Sequence, residues 1–134
     1  MANTKSLNEL NVAYCRIICN RAHQNGNYPA MAVVAELNGH ISKAHSGIGH
    51  WYMVQTRKFI ESVLGGSIGG LSPNTYCLNR IGNCAEQHVA DYLTRKMNRY
   101  GLPVDYKKIK FSNARRPRTM ETFSKCENCK LLFD

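Results

Sequence analysis

The chain has 134 residues, of which 43% are hydrophobic, and this fits one globular domain over residues 1–134. Lysine and arginine outnumber the acidic residues by 18 to 9, so the formal net charge is +9 at pH 7. No apolar run approaches the ~20 residues of a membrane span, and the N-terminal residues carry no signal-peptide apolar stretch. These properties exclude a membrane-spanning protein and favour a polyanionic partner.

The first predicted elements are a helix and a β-hairpin. Apolar residues at three-four spacing from Leu7 to Ile18 indicate a helix that opens at a capping box over residues 6–9. Residues 30–37 are rich in strand formers and precede Asn38-Gly39, a strong signal for a two-residue hairpin turn. Residues 41–46 are then the return strand.

A second helix is predicted over residues 51–64, ended by Gly65-Gly66. Its inward residues are expected to be Val54, Phe59, Ile60 and Val63. The glycine-rich residues 65–70 lack the ending of a phosphate-binding loop, so we interpret them as a connection in which substrate selectivity resides.

The last third of the chain predicts a helix, a strand, a loop and a helix. The helix runs from Cys84 to about Tyr100 and ends at Gly101. Its apolar stripe is Val89, Leu93 and Met97. Residues 104–111 favour a strand, residues 112–122 a polar loop, and a final helix begins near Ser124.

Two short motifs carry the chemistry: Cys84-Ala85-Glu86 and Cys126-Glu127-Asn128-Cys129. Three thiolates leave one position of a tetrahedral zinc ion open, which distinguishes a catalytic zinc site from a closed structural one. A carboxylate held beside the metal, without binding it, can carry protons. Glu86 lies two residues after Cys84 and is the candidate for that task.

These motifs resemble the zinc-dependent cytidine and nucleic-acid deaminase superfamily, most closely its bacterial toxin-type (YwqJ-like) members. The resemblance implies a three-layer α-β-α fold of the α/β class, with a small mixed sheet flanked by helices. It implies Zn²⁺ bound by Cys84, Cys126 and Cys129, and Glu86 as general acid and base in the conversion of cytosine to uracil. Lys125 stands where the family often has proline. Because few residues follow Cys129, we expect the sheet to be smaller than the family's or completed from elsewhere.

Several alternatives stay open at this stage. His88 lies one helical turn after Cys84, so a closed Cys₃His structural zinc site is the alternative to a catalytic one. The alternative activities are deamination of free cytidine or deoxycytidine, and non-enzymatic binding of nucleic acid by a zinc-stabilised module. Cys15, Cys19 and Cys77 are expected to be free core thiols, which suits action in a reducing cytoplasm.

The basic residues indicate the partner. Nine lysines and arginines lie between Arg95 and Arg118, against one acid, and such a stretch attracts a phosphate backbone. The expected backbone contacts are Lys107, Lys108, Lys110, Arg115, Arg116 and Arg118. We expect DNA, single- or double-stranded, with RNA next. A toxin role would add an immunity protein and delivery as the C-terminal module of a larger protein.

The position of the pocket in the related fold suggests the remaining site residues. The expected base contacts are His45, Ser46, Gly47, Asn83 and Asn113. Three thiolates on Zn²⁺ leave a net negative charge, so a nearby guanidinium is expected to offset it. Arg80 and Arg118 are the candidates for this role.

Overall fold

A computed structural model describes residues 4–26, 28–47, 49–73 and 77–134. The helices are α1 (Thr4–Asn25), α2 (Val54–Leu64), α3 (Ala85–Tyr100) and α4 (Glu127–Phe133), with one 3₁₀ turn at Tyr106–Lys108. The strands are β1 (Ala32–Leu37), β2 (His40–His45), β3 (Lys110–Phe111), β4 (Ala114–Arg115) and β5 (Thr122–Phe123). In the described part of the chain, no helix is both long and apolar enough to cross a bilayer.

One sheet in the order β2-β1-β4-β5 forms the centre of the fold, and β3 also pairs with β1. The predicted hairpin is confirmed, because Leu37 pairs with His40 across Asn38 and Gly39, both of which have positive φ angles. The α/β class is therefore confirmed. Where a mixed sheet was expected, every strand pair among the described residues is antiparallel.

Strand β1 is buried on both faces. Alternate residues from Val33 to Leu37 belong to the main core with α3, while Ala32 packs against Cys15 and Ile18 of α1. Helices thus cover the sheet on both sides, which gives the expected three layers. The run of apolar residues in β1 has this cause, since a strand covered on both faces needs no polar alternation.

Helix α3 supplies much of the core. The predicted stripe is confirmed, because Val89, Leu93 and Met97 are fully buried. The helix ends at Gly101, whose φ of 68° is left-handed, as the sequence indicates. Among the described residues the cysteines expected to be free, Cys15, Cys19 and Cys77, form no disulfide.

The inward face of α2 matches the prediction only in part, because Ile60 is buried and Phe59 packs against the core as expected. Val54 and Val63 are 54% and 44% exposed, whereas Thr56, Ile60 and Leu64 are buried. The buried residues follow a strict i, i+4 spacing, so the helix is rotated relative to the predicted apolar face. Thr56 takes an inward position because it lies on that stripe, although threonine alone signals no burial.

The region after α3 is less regular than predicted. Instead of one strand over residues 104–111, the chain forms the 3₁₀ turn and the two-residue β3. Asp105 causes the break, because its side chain accepts a hydrogen bond from the Lys107 backbone N–H at 3.1 Å. The predicted loop contains β4, and the last helix begins at Glu127 rather than near Ser124. Helix α1 already starts at Thr4, ahead of the capping box.

Candidate metal and catalytic centre

The fold brings the three motif cysteines together. The sulfur atoms of Cys84, Cys126 and Cys129 lie within 4.8 Å of one another, and Cys84 Sγ is 3.5 Å from Cys126 Sγ. Cys84 and Cys129 are buried, while Cys126 is half-buried. This group of thiols could hold a metal ion.

Two helix starts position the thiols. Cys84 is the N-cap residue of α3 and Cys126 is the N-cap residue of α4, both with extended backbone angles. Neither side chain makes a capping hydrogen bond, so both sulfurs are directed to the thiol group. Cys129 lies one turn further along α4 and supplies the third sulfur of the group.

The protonation of the group is shared among its members. Hydrogen bonds with Cys129 and Cys84 lower the pKa of Cys126. The same contacts with Cys126 raise the pKa values of Cys84 and Cys129. Without metal the group therefore favours one thiolate and two thiols, and metal binding releases protons from it.

Glu86 lies beside the thiols in the first turn of α3 and is only 5% exposed. It lines a cavity of about 340 Å³ together with Cys84 and Cys126. Burial raises the pKa of Glu86 to about 7; a hydrogen bond to its own backbone N–H and the charge of Lys125 oppose the rise, and Cys126 adds to it. A carboxyl group with a pKa near neutrality can both accept and return a proton.

His88 is occupied elsewhere. Its Nδ1 lies 2.8 Å from the carbonyl oxygen of His45, and its Nε2 lies 2.8 Å from that of Gly82. Burial and the neighbouring His50 lower the pKa of His88. Because both ring nitrogens face backbone oxygens and His88 is outside the thiol group, the geometry does not support the closed Cys₃His alternative.

Gln87 is a site residue that the sequence analysis missed. Its side chain is fully buried, and its Oε1 accepts a hydrogen bond from the Gly82 N–H at 2.7 Å. Its Nε2 donates to Cys129 Sγ at 3.5 Å. Tyr52 fixes the same loop, since its hydroxyl donates to the Gly82 carbonyl at 2.8 Å. The only sequence signal was the position of Gln87, three residues after Cys84 and next to Glu86.

Of the predicted base contacts, Ser46 lines the Glu86 cavity. Hydrogen bonds in both directions with the Met31 backbone hold it there. Gly47 lies just outside the cavity lining, and its N–H donates to the Asn83 carbonyl. Asn113 does not line the cavity, and its N–H donates to the Asn8 side chain at 2.7 Å.

Three further predicted residues do not line the cavity. The ring of His45 lies 2.9 Å from the Ser46 carbonyl oxygen. The guanidinium of Arg80, proposed to offset the thiolate charge, donates instead to the Gly69 carbonyl at 3.1 Å. Arg118, the other candidate, is exposed on the turn after β4 and does not line the cavity.

The cavity wall contains further residues for which no motif gave a signal. They include Asn79, Phe123 and Ser124, which lie beside Arg116, a residue expected as a backbone contact. The Arg116 guanidinium lies 4.8 Å from the centre of the Phe123 ring, within the range of a cation–π contact. A flat apolar ring and a cation therefore stand at the same wall as Glu86.

The predicted backbone contacts divide into two groups. Arg115 pairs with Ala32 at the cavity end of β1, and Arg116 lines the cavity. Lys110 instead pairs with Glu36, four residues or about 13 Å further along β1. Lys107 and Lys108 lie at that far end too, so the lysines and the arginines do not form one surface around the cavity.

The site therefore combines three convergent thiols with a separate buried carboxyl group at one cavity. No family model, no curated protein and no solved structure matches this chain. The chemistry open to the site follows from its own residues: it can bind a soft or borderline metal ion and move a proton beside that ion.

Proposed function

We propose that the chain is a zinc-dependent hydrolytic deaminase that converts cytosine to uracil in nucleic acid, most readily in DNA. The observation that carries the proposal is the separation of roles at one cavity. Three thiols converge on one point, while Glu86 stands beside them without joining them. A carboxyl group in that position can transfer protons at an open coordination position of the metal.

The thiol group fits zinc. With Zn–S bonds of about 2.3 Å, two thiolates on one tetrahedral ion lie about 3.8 Å apart. The Cys84–Cys126 separation of 3.5 Å is close to this value, and small side-chain movements would bring Cys129 to the same distance. When bound, zinc lowers the pKa of a coordinated water to ~7.

The residues of the chain would perform the remaining steps. Glu86 would accept a proton from water as the water oxygen bonds to C4 of cytosine, and would deliver that proton to ring N3. It would then pass the remaining hydroxyl proton to the amine, so that the C4–N bond breaks, ammonia leaves and uracil remains. Ser46 and Asn79 offer polar contacts at the cavity wall, and the Phe123 ring offers a face for the base. Gln87 would hold Cys129 in place through its N–H donor.

The charge of the chain supports a polymeric substrate over free cytidine. A net charge of +9 attracts a phosphate backbone, and Arg116 places one cation at the cavity itself. A free nucleoside gains little from such a surface. If the chain deaminates cytidine but no polymer, its substrates are nucleosides rather than nucleic acids.

The test is a comparison of zinc content and activity in three variants. Glu86→Ala should keep one equivalent of zinc and the folded state but lose deamination, because only the proton carrier is removed. Cys129→Ser should lose zinc and activity together, whereas Glu121→Ala, at an exposed glutamate, should change neither. If Glu86→Ala releases zinc, Glu86 is a ligand or a structural residue and the proposed mechanism is wrong.

A further inference from the structure

A second concave surface adjoins the Glu86 cavity, between α1 and the end of β2. Its walls are Tyr14, Arg21, Lys43, His45, His50 and Tyr92, which we call the α1–β2 groove. Its two overlapping parts enclose about 960 and 460 Å³. Ser46 lines both parts and also lines the Glu86 cavity, so the groove and the cavity share a wall residue.

The charge of the groove is one-sided. Arg21 and Lys43 are exposed on its walls, and no aspartate or glutamate occurs among its described lining residues. The carboxylate behind the wall at His50 is that of Asp91, whose side chain is fully buried. It is engaged by His50 at 2.8 Å and by Arg95 at 3.1 Å, so it does not offset the two cations of the groove.

Aromatic rings are available along the same path. The Lys43 ammonium lies 5.3 Å from the centre of the half-buried Tyr14 ring. Tyr92 is 41% exposed and contacts His50 edge to face, with ring centres 5.2 Å apart. His50 is held by Asp91 and by stacking on His88 at 4.4 Å, so this wall is preorganised. Cations beside exposed aromatic faces are the arrangement that binds single strands, whose bases are free to stack.

We propose that the α1–β2 groove binds a single-stranded segment of the nucleic acid adjacent to the base in the Glu86 cavity. Phosphates would lie against Arg21 and Lys43, and neighbouring bases would stack on Tyr14 and Tyr92. The strand would reach Glu86 past Ser46. This inference rests on the proposed function for the identity of the cavity, and the groove replaces Lys107, Lys108 and Lys110 as the principal backbone contacts.

The test compares charge reversals of matched composition. R21E/K43E changes the groove, and R57E/K58E makes the same change on exposed residues of α2. K108E/K110E makes an equal charge change at the far end of β1. Each double variant is combined with Glu86→Ala, and binding of a fluorescent 12-nucleotide cytosine-containing DNA strand is measured over a range of salt concentrations.

R21E/K43E should bind about tenfold more weakly at low salt and should reduce the salt slope by about 1.4, the value for two lost phosphate contacts on a single strand. The other two double variants should each lose much less. The neutral variant R21Q/K43Q should also lose more DNA binding than R57E/K58E or K108E/K110E. Thermal melting and zinc content should match those of R57E/K58E, because Arg21 and Lys43 are exposed.

The experiments can contradict the proposed role of the groove and the proposed catalytic activity independently of each other. Equal losses in R21E/K43E and R57E/K58E, or a larger loss in K108E/K110E, would overturn the groove even if the wild-type chain deaminates. A selective loss in R21E/K43E with no deamination by the wild type would support the groove and reject the enzyme. With active protein, the groove variant should lose kcat/KM on the 12-mer while keeping it on a trinucleotide, and equal losses on both would count against the groove.

Discussion

Replacing Gln87 by leucine removes two hydrogen bonds at once and tests how the loop before α3 supports the thiol group. Leucine cannot accept from the buried Gly82 N–H, and leaving such a donor unsatisfied costs about 1–3 kcal/mol. Leucine also cannot donate to Cys129 Sγ. Loss of a partner of this kind weakens metal binding by about 10–100-fold, which corresponds to about 1.4–2.7 kcal/mol of zinc-linked stability.

We therefore expect Gln87→Leu to lower the free energy of unfolding without zinc by about 1–3 kcal/mol, and by about 2–6 kcal/mol with zinc. Urea unfolding with and without zinc, together with competition against a chromophoric chelator, separates the two contributions. Gln55→Leu is the control, because Gln55 is exposed and solvent can replace its bond with Asn98. Wild-type zinc affinity and stability in Gln87→Leu would refute the supporting role of Gln87.

Three further predictions concern the fold around the site. Leu93→Ala should lower the free energy of unfolding by about 2–5 kcal/mol in urea titrations, because Leu93 is fully buried in the core; a loss below about 0.5 kcal/mol would contradict the packing. Gly82→Ala should lower the melting temperature more than Gly39→Ala does. Both residues have left-handed φ angles, but only at Gly82 would a Cβ lie 2.9 Å from Ile68 Cγ2, and equal losses would argue against that contact. Burial opposes ionisation of Asp91, yet hydrogen bonds from its partners hold the pKa of Asp91 below its usual value. The stabilisation from the ionised Asp91 is therefore complete above pH ~4 and is lost as the pH falls through the folded-state pKa. In Asp91→Asn the free energy of unfolding should consequently fall less steeply below pH ~4 than in the wild type. An unchanged pH dependence would contradict this prediction.

The sequence predicted the elements whose signals are local. Asn38-Gly39 defined the hairpin, and the stripe from Val89 to Met97 defined α3, because turn residues and helical periodicity act within a few positions. The inward positions of Phe59 and Ile60 on α2 were predicted correctly. Thr56 was missed because it owes its burial to the neighbouring elements rather than to its own side chain. The predicted strand over residues 104–111 does not form over its full length, because the Asp105 side chain accepts a hydrogen bond from a backbone N–H and a 3₁₀ turn begins there.

The candidate site likewise contains residues that short motifs predicted and residues that only tertiary packing places there. The resemblance of the two motifs to the deaminase superfamily predicted that Cys84, Cys126 and Cys129 would meet, and the thiols do converge. Spacing alone constrains only the near pairs, Cys84 with Glu86 and Cys126 with Cys129. The supporting Gln87 and the cavity wall at Phe123 had no motif, and tertiary packing alone brings them to the site. No local signal indicated that the Arg80 guanidinium would donate to the Gly69 carbonyl.

The most direct test of the proposed activity is sequencing of cytosine-to-uracil changes after incubation with the zinc-loaded chain. Single-stranded DNA, double-stranded DNA and RNA are offered together, with Glu86→Ala as the paired control. We predict conversion in at least one polymer, greatest in DNA, and none with Glu86→Ala. Absence of conversion in every polymer, or equal conversion by Glu86→Ala, would contradict the assignment of the chain as a nucleic-acid deaminase that uses Glu86.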